Sequence, residues 1–336
     1  MESISGKRIL ITGASGFIGS HLADRLVREG AFVGALSRTE GRLRALENRP
    51  AIQFIRCDLT SIERTRQAVK QFSPNILYHL AGHTDGPEDF DRCQTNINSN
   101  IQCTVSLLEA FRVAGGRTFI YGDSTKVYGD SPAPYRSDTP LRPLSSYAIA
   151  KAAGWQFCQL YQRLYGSNVI SVRPTMIYGP RQNYNLITNV AEGVLEGRAE
   201  LALMGGLQTR DPLYIDDALD AFVAIAQNSE TLRGSVLNMS GGDERTVAEI
   251  ASTVVELMGS VTRVVPRADQ ARPTDTMRSC CDNDEAKRLL NWQPKTTLRD
   301  GLQNTINYLV VALQTERAVD NSDSHRPAAL RKTSIG

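Results

Sequence analysis

The segment RILITGASGFIGSHLADRLV, residues 8–27, decides the fold class of this 336-residue chain. Arg8–Thr12 is a short apolar run, typical of a strand that is buried on both faces of a sheet. Gly19–Glu29 follows, with apolar residues such as Leu22 and Leu26 at helical spacing. A buried strand, a glycine-rich turn and an amphipathic helix in this order indicate the beginning of a βαβ unit.

Strand and helix patterns continue to alternate beyond this unit. Further strands are predicted at Ala31–Ser37, Ile52–Arg56, Ile76–Leu80, Arg117–Tyr121 and Asn168–Arg173, and helices at Ser61–Gln71, Asn96–Ala114 and Tyr147–Tyr165. The alternation predicts an α/β fold of the Rossmann type, a doubly wound parallel sheet with helices on both faces. Such sheets bind ligands beyond the carboxyl ends of their strands, so the residues just after each strand form the candidate site.

The second half of the chain is less regular. Helices are predicted at Leu186–Glu196, Asp217–Gln227, Val247–Met258 and Gly301–Leu313, and strands at Leu213–Ile215 and Val236–Met239. From Gln314 the chain is polar and charged, which predicts a disordered tail over 314–336, with a partner-binding segment as the alternative.

The composition restricts the partners and the compartment. Lys and Arg number 38 and Asp and Glu number 36, so a general electrostatic attraction to nucleic acid or membrane is not expected. There is no apolar run long enough to cross a membrane and no signal-peptide pattern at the N-terminus. The six cysteines are scattered without a CxxC spacing, which predicts reduced thiols, no metal site and a cytoplasmic location.

The turn Gly13-Ala-Ser-Gly16-Phe-Ile-Gly19 lies between the first strand and the first helix. Glycine lets backbone N–H groups approach a pyrophosphate closely, and the N-terminus of a helix favours negative charge. The turn therefore predicts a dinucleotide site, with a purely structural glycine turn as the alternative.

The end of the second predicted strand bears on the choice between NAD and NADP. NAD sites usually place an acid there for the ribose 2′-hydroxyl, whereas this chain has Ser37 and Arg38. Arg38 is able to pair with a 2′-phosphate, which favours NADP; the alternative is a solvated loop charge. Asp58, after the third strand, is a candidate for the adenine side or a turn-forming residue.

Tyr147 and Lys151 are four residues apart in the pattern YAIAK, so they share one face of the predicted helix. An ammonium next to a phenol favours the phenolate, which makes Tyr147 a candidate general base for an alcohol. Ser124, just after the fifth strand, supplies a hydroxyl upstream of this pair.

These motifs together resemble the extended short-chain dehydrogenases/reductases, in the NAD(P)-dependent nucleotide-sugar epimerase/dehydratase family. The resemblance covers about 7–313 and includes TGASGFIG, HLAG, SSYAIAK, RPTMIYGPR, QTRDPLYIDD and NWQP. It implies a Rossmann domain (1–173 plus 213–240) that binds NAD(P) and a smaller α/β C-terminal domain (174–212 plus 241–313) that binds a nucleotide sugar. It also implies a homodimer formed through Asn96–Ala114 and Tyr147–Tyr165.

The resemblance assigns roles to individual residues. Ser124, Tyr147 and Lys151 are the implied catalytic residues, and Thr125, Lys126, Arg210 and Arg272, together with Ser124, are the implied substrate-binding residues. The cofactor-binding residues, from the motifs and the resemblance together, are expected to be Gly13, Ser15, Gly16, Phe17, Ile18, Gly19, Ser37, Arg38, Asp58, Leu59, Leu80, Ala81, Gly82, Asn100, Tyr147 and Lys151. A helix-surface amide is the alternative for Asn100, and a solvated surface charge is the alternative for Lys126, Arg210 and Arg272.

The chain departs from the family pattern at two positions. Dehydratases of this group have an acid directly after the position of Ser124, where this chain has Thr125 and then Lys126. Threonine is a poor general acid near neutral pH, which argues against 4,6-dehydration. Met176 stands where the family often has an asparagine that contacts the substrate diphosphate, and methionine lacks that donor.

The sequence therefore predicts an NDP-sugar epimerase that acts at C4 through a transient 4-keto sugar with tightly bound NAD(P)⁺. One alternative is an NADPH-dependent reductase of NDP-4-keto-6-deoxyhexoses, which would use the same three residues. The other is a non-catalytic NAD(P)-binding sensor or scaffold, because the fold alone does not prove activity.

Overall fold

The structure is a computed structural model that describes residues 2–46, 51–84 and 88–324. Its strands are β1 (Arg8–Thr12), β2 (Phe32–Ser37), β3 (Ile52–Arg56), β4 (Ile76–His79), β5 (Thr118–Gly122), β6 (Asn168–Pro174), β7 (Ile177–Tyr178), β8 (Glu200–Met204), β9 (Thr209–Arg210), β10 (Leu213–Tyr214), β11 (Val236–Met239), β12 (Arg245–Thr246), β13 (Arg263–Arg267) and β14 (Arg278–Ser279). Its α-helices are α1 (Phe17–Arg28), α2 (Ile62–Phe72), α3 (Phe90–Asn96), α4 (Cys103–Val113), α5 (Ser146–Tyr165), α6 (Leu186–Leu195), α7 (Ile215–Gln227), α8 (Val247–Leu257), α9 (Asp284–Leu290) and α10 (Leu298–Ser324).

The central feature is a seven-stranded sheet in the order β11-β6-β5-β4-β1-β2-β3. All neighbouring pairs in it are parallel. The chain begins at β1, runs outward to β3, and then returns to the other side of β1 at β4. The predicted doubly wound Rossmann fold is confirmed, and the change of direction between β1 and β4 places a cleft at the carboxyl ends of these strands.

The sheet is buried on both faces, as its apolar strands predict. In β1, Ile9 and Ile11 belong to one hydrophobic cluster together with Leu22 of α1. Leu10, between them, points to the opposite face and belongs to a second cluster, with Trp155 of α5. Alternate residues of a strand point to opposite faces, so a continuous apolar run serves two helical layers at once.

The predicted helix Asn96–Ala114 is divided in the structure. It begins earlier, at α3, where the Asp89 side chain accepts a hydrogen bond from the Arg92 amide at 2.7 Å and caps the helix. Ile97–Gln102 forms a π-helical segment between α3 and α4. Such wider turns are frequent at functional sites, and this one contains Asn100.

Small sheets organise the second half. They pair β7 with β10, β8 with β13, and β9 with β12 and β14. Several of these strands have only two residues, too few for a periodic pattern, and of these the sequence predicts only β10. β9 nevertheless pairs with β14, which places Arg210 opposite Ser279. The Gln208 side-chain amide donates to Asp275 Oδ2, before β14, at 3.4 Å.

The disordered tail expected over 314–336 stays a prediction. The structure extends α10 to Ser324, and residues 325–336 lie outside the described residues. Gln, Glu, Arg and Ala at 314–318 are good helix formers, which is consistent with this helical extension. Nowhere in 2–46, 51–84 and 88–324 is a helix both long and apolar enough to cross a membrane.

The NWQP motif is attached to α7 through one buried carboxylate. Asp217 accepts hydrogen bonds from the backbone amides of Lys295 (3.1 Å) and Thr296 (2.9 Å). The Trp292 indole N–H donates to the Asp217 carbonyl at 2.9 Å. The structure therefore explains this motif: it fixes the segment before α10 to α7.

Asp217→Ala should lower the free energy of unfolding by about 3 kcal/mol, because two backbone donors lose an ionised acceptor in a buried place. Urea unfolding followed by circular dichroism measures this loss. Asp216→Ala is the matched control, because Asp216 is exposed on the same turn and should cost less than about 1 kcal/mol. Equal effects of the two substitutions would contradict the role of Asp217.

Candidate active site

A cleft of about 830 Å³ opens at the carboxyl ends of β1 to β5. The structure brings most of the sequence-predicted residues to its wall. They are Gly13, Ser15, Gly16, Phe17, Ile18, Gly19, Ser37, Arg38, Asp58, Leu59, Leu80, Ala81, Gly82, Ser124, Tyr147 and Lys151. Asn100, Thr125, Lys126, Arg210 and Arg272 do not line this cleft.

The glycine turn fits a pyrophosphate for steric and electrostatic reasons. Gly13 has φ +70°, and a Cβ there would lie 2.8 Å from the Ala81 backbone nitrogen. A Cβ at Gly19 would lie 2.3 Å from the Gly13 carbonyl oxygen. Gly16 caps α1 without a side-chain hydrogen bond, so the backbone N–H groups at the start of the helix face the cleft without a side-chain acceptor. This arrangement is what an anionic linker between two nucleotides requires.

Polar and positively charged side chains lie at the end of β2 and just after it. The Ser37 hydroxyl donates to the Thr39 carbonyl at 2.7 Å and lies 2.5 Å from the Ser15 hydroxyl oxygen. Arg38 is exposed at the edge of the cleft. Arg42 also lines it and donates to the Arg181 carbonyl at 2.8 Å. The sequence reasoning missed Arg42, although its place four residues after Arg38 was a usable signal.

Asp58 lines the cleft and also forms a turn, so the two interpretations of this residue are compatible. One of its oxygens accepts from the Thr60 amide at 3.1 Å and from the Thr60 hydroxyl at 2.9 Å. These bonds, with a smaller contribution from Arg38, lower the pKa of the Asp58 carboxyl below its ordinary value.

Tyr147 and Lys151 lie on the first turns of α5, at the inner end of the cleft. The Ser145 hydroxyl accepts from the Ala148 amide at 3.2 Å and fixes where this helix begins. Lys151 is only 5% exposed, and its Nζ donates to the Gly122 carbonyl at 2.7 Å. The Nζ lies 6.0 Å from the centre of the Tyr147 ring. Burial lowers the pKa of Lys151 to about 8, against an opposing contribution from Asp123.

Ser124 follows β5 on the same wall of the cleft. Its hydroxyl oxygen accepts from the Lys126 amide at 3.2 Å, and its own amide donates to Asp123 Oδ1 at 2.9 Å. Thr125 turns away: it is buried, and its hydroxyl donates to the Pro174 carbonyl at 3.2 Å. Ser124 therefore lines the cleft together with Tyr147, whereas Thr125 does not.

Asn100 is fully buried, so it is not a helix-surface amide. Its Nδ2 donates to the His83 carbonyl at 3.2 Å and to Asn96 Oδ1 at 3.1 Å, whereas its Oδ1 is buried without a partner in the structure. A Cβ at Gly82 would lie 2.3 Å from that oxygen and 3.4 Å from Lys151 Nζ. Asn100 thus supports the Gly82 and Lys151 part of the wall from behind.

An ion-pair cluster close to Ser124 in the chain connects the first half of the chain to the second. Asp275 Oδ1 lies 2.9 Å from Lys126 Nζ and 2.6 Å from a terminal nitrogen of Arg210. Burial would raise the pKa of Asp275, but the two cations outweigh it and hold that pKa below its ordinary value. Sequence reasoning missed Asp275, because only the fold brings it to Lys126 and Arg210.

Three other residues lie outside the cleft wall. Arg272 is exposed on the loop that leads to Asp275, and Met176 packs against the main hydrophobic cluster. His79, at the end of β4, is fully buried, and its ring nitrogens lie 2.9 Å from the hydroxyl oxygens of Thr12 and Thr104, which indicates a structural role.

Comparison with known proteins agrees with this geometry. The model of the NAD dependent epimerase/dehydratase family matches residues 9–240. A UDP-glucose 4-epimerase of Mycolicibacterium smegmatis is 32% identical over 311 residues, which cover 90% of this chain and 98% of that protein.

Solved structures agree as well. The Bacillus cereus UDP-glucuronic acid 4-epimerase in complex with UDP-glucuronic acid and NAD superposes with a TM-score of 0.83 and 28% identity, covering 90% of this chain and 99% of that one. The Thermus thermophilus UDP-glucose 4-epimerase complex with NAD gives a TM-score of 0.82 and 27% identity over 91% and 99% of the two chains.

Gly13→Ala should weaken dinucleotide binding by more than about tenfold, because the new Cβ displaces the Ala81 backbone from the cleft wall. Isothermal titration calorimetry with NAD⁺ and NADP⁺ measures the affinity. Gly6→Ala is the control: Gly6 has a similar φ of +75° but open space around its Cβ position. If both variants keep the wild-type affinity, the turn is not the dinucleotide site.

Proposed function

This chain belongs to the NAD-dependent epimerase/dehydratase family, a family of enzymes, and on that premise we propose that it is a nucleotide-sugar epimerase that acts at C4 of an NDP-hexose. The observation that carries the proposal is the meeting of Ser124, Tyr147 and Lys151 at the inner end of a cleft whose glycine turn fits a dinucleotide. The 4-epimerase relatives support C4 as the reacting carbon.

In this proposal the chain contributes binding and proton transfer. The glycine turn and the start of α1 hold the dinucleotide, which when bound supplies a reversible hydride acceptor. Tyr147 takes the proton of the C4 hydroxyl and later returns it, and the Lys151 ammonium stabilises the phenolate. Ser124 donates a hydrogen bond to the same sugar oxygen. The 4-keto sugar turns between the two proton transfers, so the configuration at C4 inverts without net oxidation.

Two observations favour epimerisation over dehydration. The residue after Ser124 is a threonine, and its hydroxyl is already engaged with the Pro174 carbonyl. No acid therefore stands at this position to protonate a leaving hydroxyl at C6. Reduction of a 4-keto-6-deoxy sugar by NADPH is the second candidate, favoured by the Ser37–Arg38 end of β2. A non-catalytic sensor is the third, but it has no use for a proton-transfer set.

The substrate end of the site is positively charged. We assign the diphosphate to Arg210 and Arg272, with Lys126 and Ser124 nearer to the sugar. Arginine is suited to bidentate contact with phosphate oxygens. Thr125, a substrate-binding residue by resemblance, has only a supporting place, because its hydroxyl is buried. The relatives' names favour a UDP-sugar.

The cofactor we propose is NADP rather than NAD. Ser37 and Arg38 end β2 where NAD sites have an acid, and Arg42 lies on the same wall of the cleft. These groups suit a 2′-phosphate, whose two negative charges a carboxylate would repel.

We also propose a homodimer formed through α4 and α5. α5 exposes the apolar side chains of Ile149, Leu160 and Leu164, and α4 exposes that of Val113 at its end. The division of the chain into a Rossmann domain (1–173 plus 213–240) and a substrate domain (174–212 plus 241–313) is part of the same proposal.

Arg38→Ala should weaken NADP⁺ binding about tenfold or more and change NAD⁺ binding by less than about threefold, because only NADP⁺ carries the 2′-phosphate. Fluorescence titration with each dinucleotide gives the two affinities. Arg56→Ala, at the exposed end of β3, removes the same charge outside the cleft wall and should change neither. Unchanged discrimination in Arg38→Ala would contradict the NADP assignment.

Tyr147→Phe should reduce C4 epimerisation of UDP-hexoses by several orders of magnitude and leave dinucleotide binding nearly intact, because only the general base is lost. The measurement is product ratio by NMR, with purified protein and no added reductant. Tyr165→Phe, at the exposed end of the same helix, is the control and should keep the wild-type rate.

The same assay, run in parallel with NADPH and an NDP-4-keto-6-deoxyhexose, separates the three candidate functions. Turnover without net change in NAD(P)H supports the epimerase. A requirement for one NADPH per product supports the reductase. Binding of dinucleotide with no turnover of any NDP-hexose supports the sensor.

A further inference from the structure

A buried carboxylate lies between two residues of the proposed catalytic machinery. Gly122, Asp123 and Ser124 are consecutive at the end of β5. The Gly122 carbonyl accepts from Lys151 Nζ, and Ser124 carries the hydroxyl that faces the cleft. The side chain of Asp123 is fully buried, so it has no access to the substrate.

Every oxygen of this carboxylate is engaged. Oδ1 accepts from the Ser124 amide at 2.9 Å. Oδ2 accepts from the Ser171 hydroxyl at 2.9 Å and from Arg173 Nε at 2.7 Å. Ser171 and Arg173 are two residues apart on β6, so they point to the same face of the sheet, towards Asp123.

Arg173 is fixed in turn from its other side. Its NH1 donates to the Tyr128 hydroxyl at 3.0 Å, and its guanidinium lies 5.0 Å from the centre of the Tyr128 ring. The Tyr128 hydroxyl donates to Asn238 Oδ1 at 2.8 Å. Arg173 is 2% exposed and therefore cannot turn towards a ligand. Buried ion pairs of this kind are weak evidence for stability, so a role in positioning is the better explanation.

The charged and titratable groups around Lys151 come from several elements. Burial lowers the pKa of Lys151, and Asp123 raises it more than any other neighbour. Burial keeps Tyr121 and Cys158 neutral by raising the pKa of each well above its ordinary value. Burial also lowers the pKa of His79 to about 3, so this ring is uncharged. Tyr147 lies on the open side, and Arg173 lies beyond Asp123.

We propose that Asp123 is a positioning residue for the proposed reaction: its carboxylate, held by Arg173, fixes the backbone of Ser124 and lies one residue from the carbonyl that holds the Lys151 ammonium beside Tyr147. One side chain thus couples the place of the sugar-facing hydroxyl to the charge that stabilises the phenolate. The inference rests on the proposed function for its catalytic meaning, whereas the effect on Lys151 can be measured without any substrate.

The test is the titration of Lys151 in Asp123→Asn. Asparagine keeps the oxygen that accepts from the Ser124 amide and removes the negative charge. Lys151 should then lose its proton about one pH unit lower than in the wild type, because an attractive charge is gone and burial remains. The measurement is NMR of protein labelled with ¹³Cε-lysine; the chain has seven lysines, and Lys151→Met identifies the resonance. The basic limb of the epimerisation pH profile should move by the same amount.

Two further variants make the outcome decisive. Ser171→Ala removes a neutral hydrogen bond from the same carboxylate and should leave the titration of Lys151 unshifted. The double variant Asp123→Asn with Arg173→Met removes both buried charges, so it provides a folded protein if the single variant does not fold. In it the pH at which Lys151 loses its proton should also fall, but by less than in Asp123→Asn alone. A folded variant without Asp123 in which Lys151 titrates as in the wild type overturns the proposal. Absence of turnover in the wild type would contradict the proposed function and leave the NMR result to decide on Asp123.

Discussion

A lysine ammonium that is almost completely removed from water is the constraint around which this site is built. Lys151 loses hydration and gains a hydrogen bond to the carbonyl at the end of β5, 2.7 Å away. The contact requires α5 to lie very close to the sheet. Gly154, three residues later, permits that approach, because a Cβ there would lie 2.3 Å from the Tyr121 hydroxyl. The Tyr121 hydroxyl in turn donates to the Lys151 carbonyl at 3.1 Å.

The Rossmann half could be predicted from the sequence because its signals are local. β3 and β11 have the predicted bounds, since each is a short apolar run between turn residues. The cofactor wall followed from the same pattern, because a parallel sheet places the residue after every strand at one edge. The π-helical segment around Asn100 could not be predicted, because one extra residue in a helical turn leaves the apolar spacing almost unchanged.

The second half of the chain was harder to predict from the sequence, for a physical reason. Its contacts join residues that are far apart in sequence, such as Lys126 and Asp275, through an ion pair with no local pattern. Asp275 was therefore missed, although Arg210 and Arg272 were found by resemblance. Thr125 is a different case: the resemblance implies a substrate-binding residue, whereas its hydroxyl donates to the Pro174 carbonyl inside the protein. Neighbours in a chain share a site only when their side chains point the same way.

In the proposed function, an ion-pair cluster next to Ser124 receives the anionic part of the substrate. Lys126 and Arg210 share the carboxylate of Asp275, so these three side chains together carry a net positive charge. Exposed Arg272 adds to it from the neighbouring loop. Lys126 lies two residues after Ser124, and its ion pair with Asp275 connects this segment to the second half of the chain. In the proposed function, an anion attracted to this cluster directs its sugar towards the Ser124 hydroxyl and the Tyr147 phenol, so the same contacts serve both recognition and orientation of the substrate.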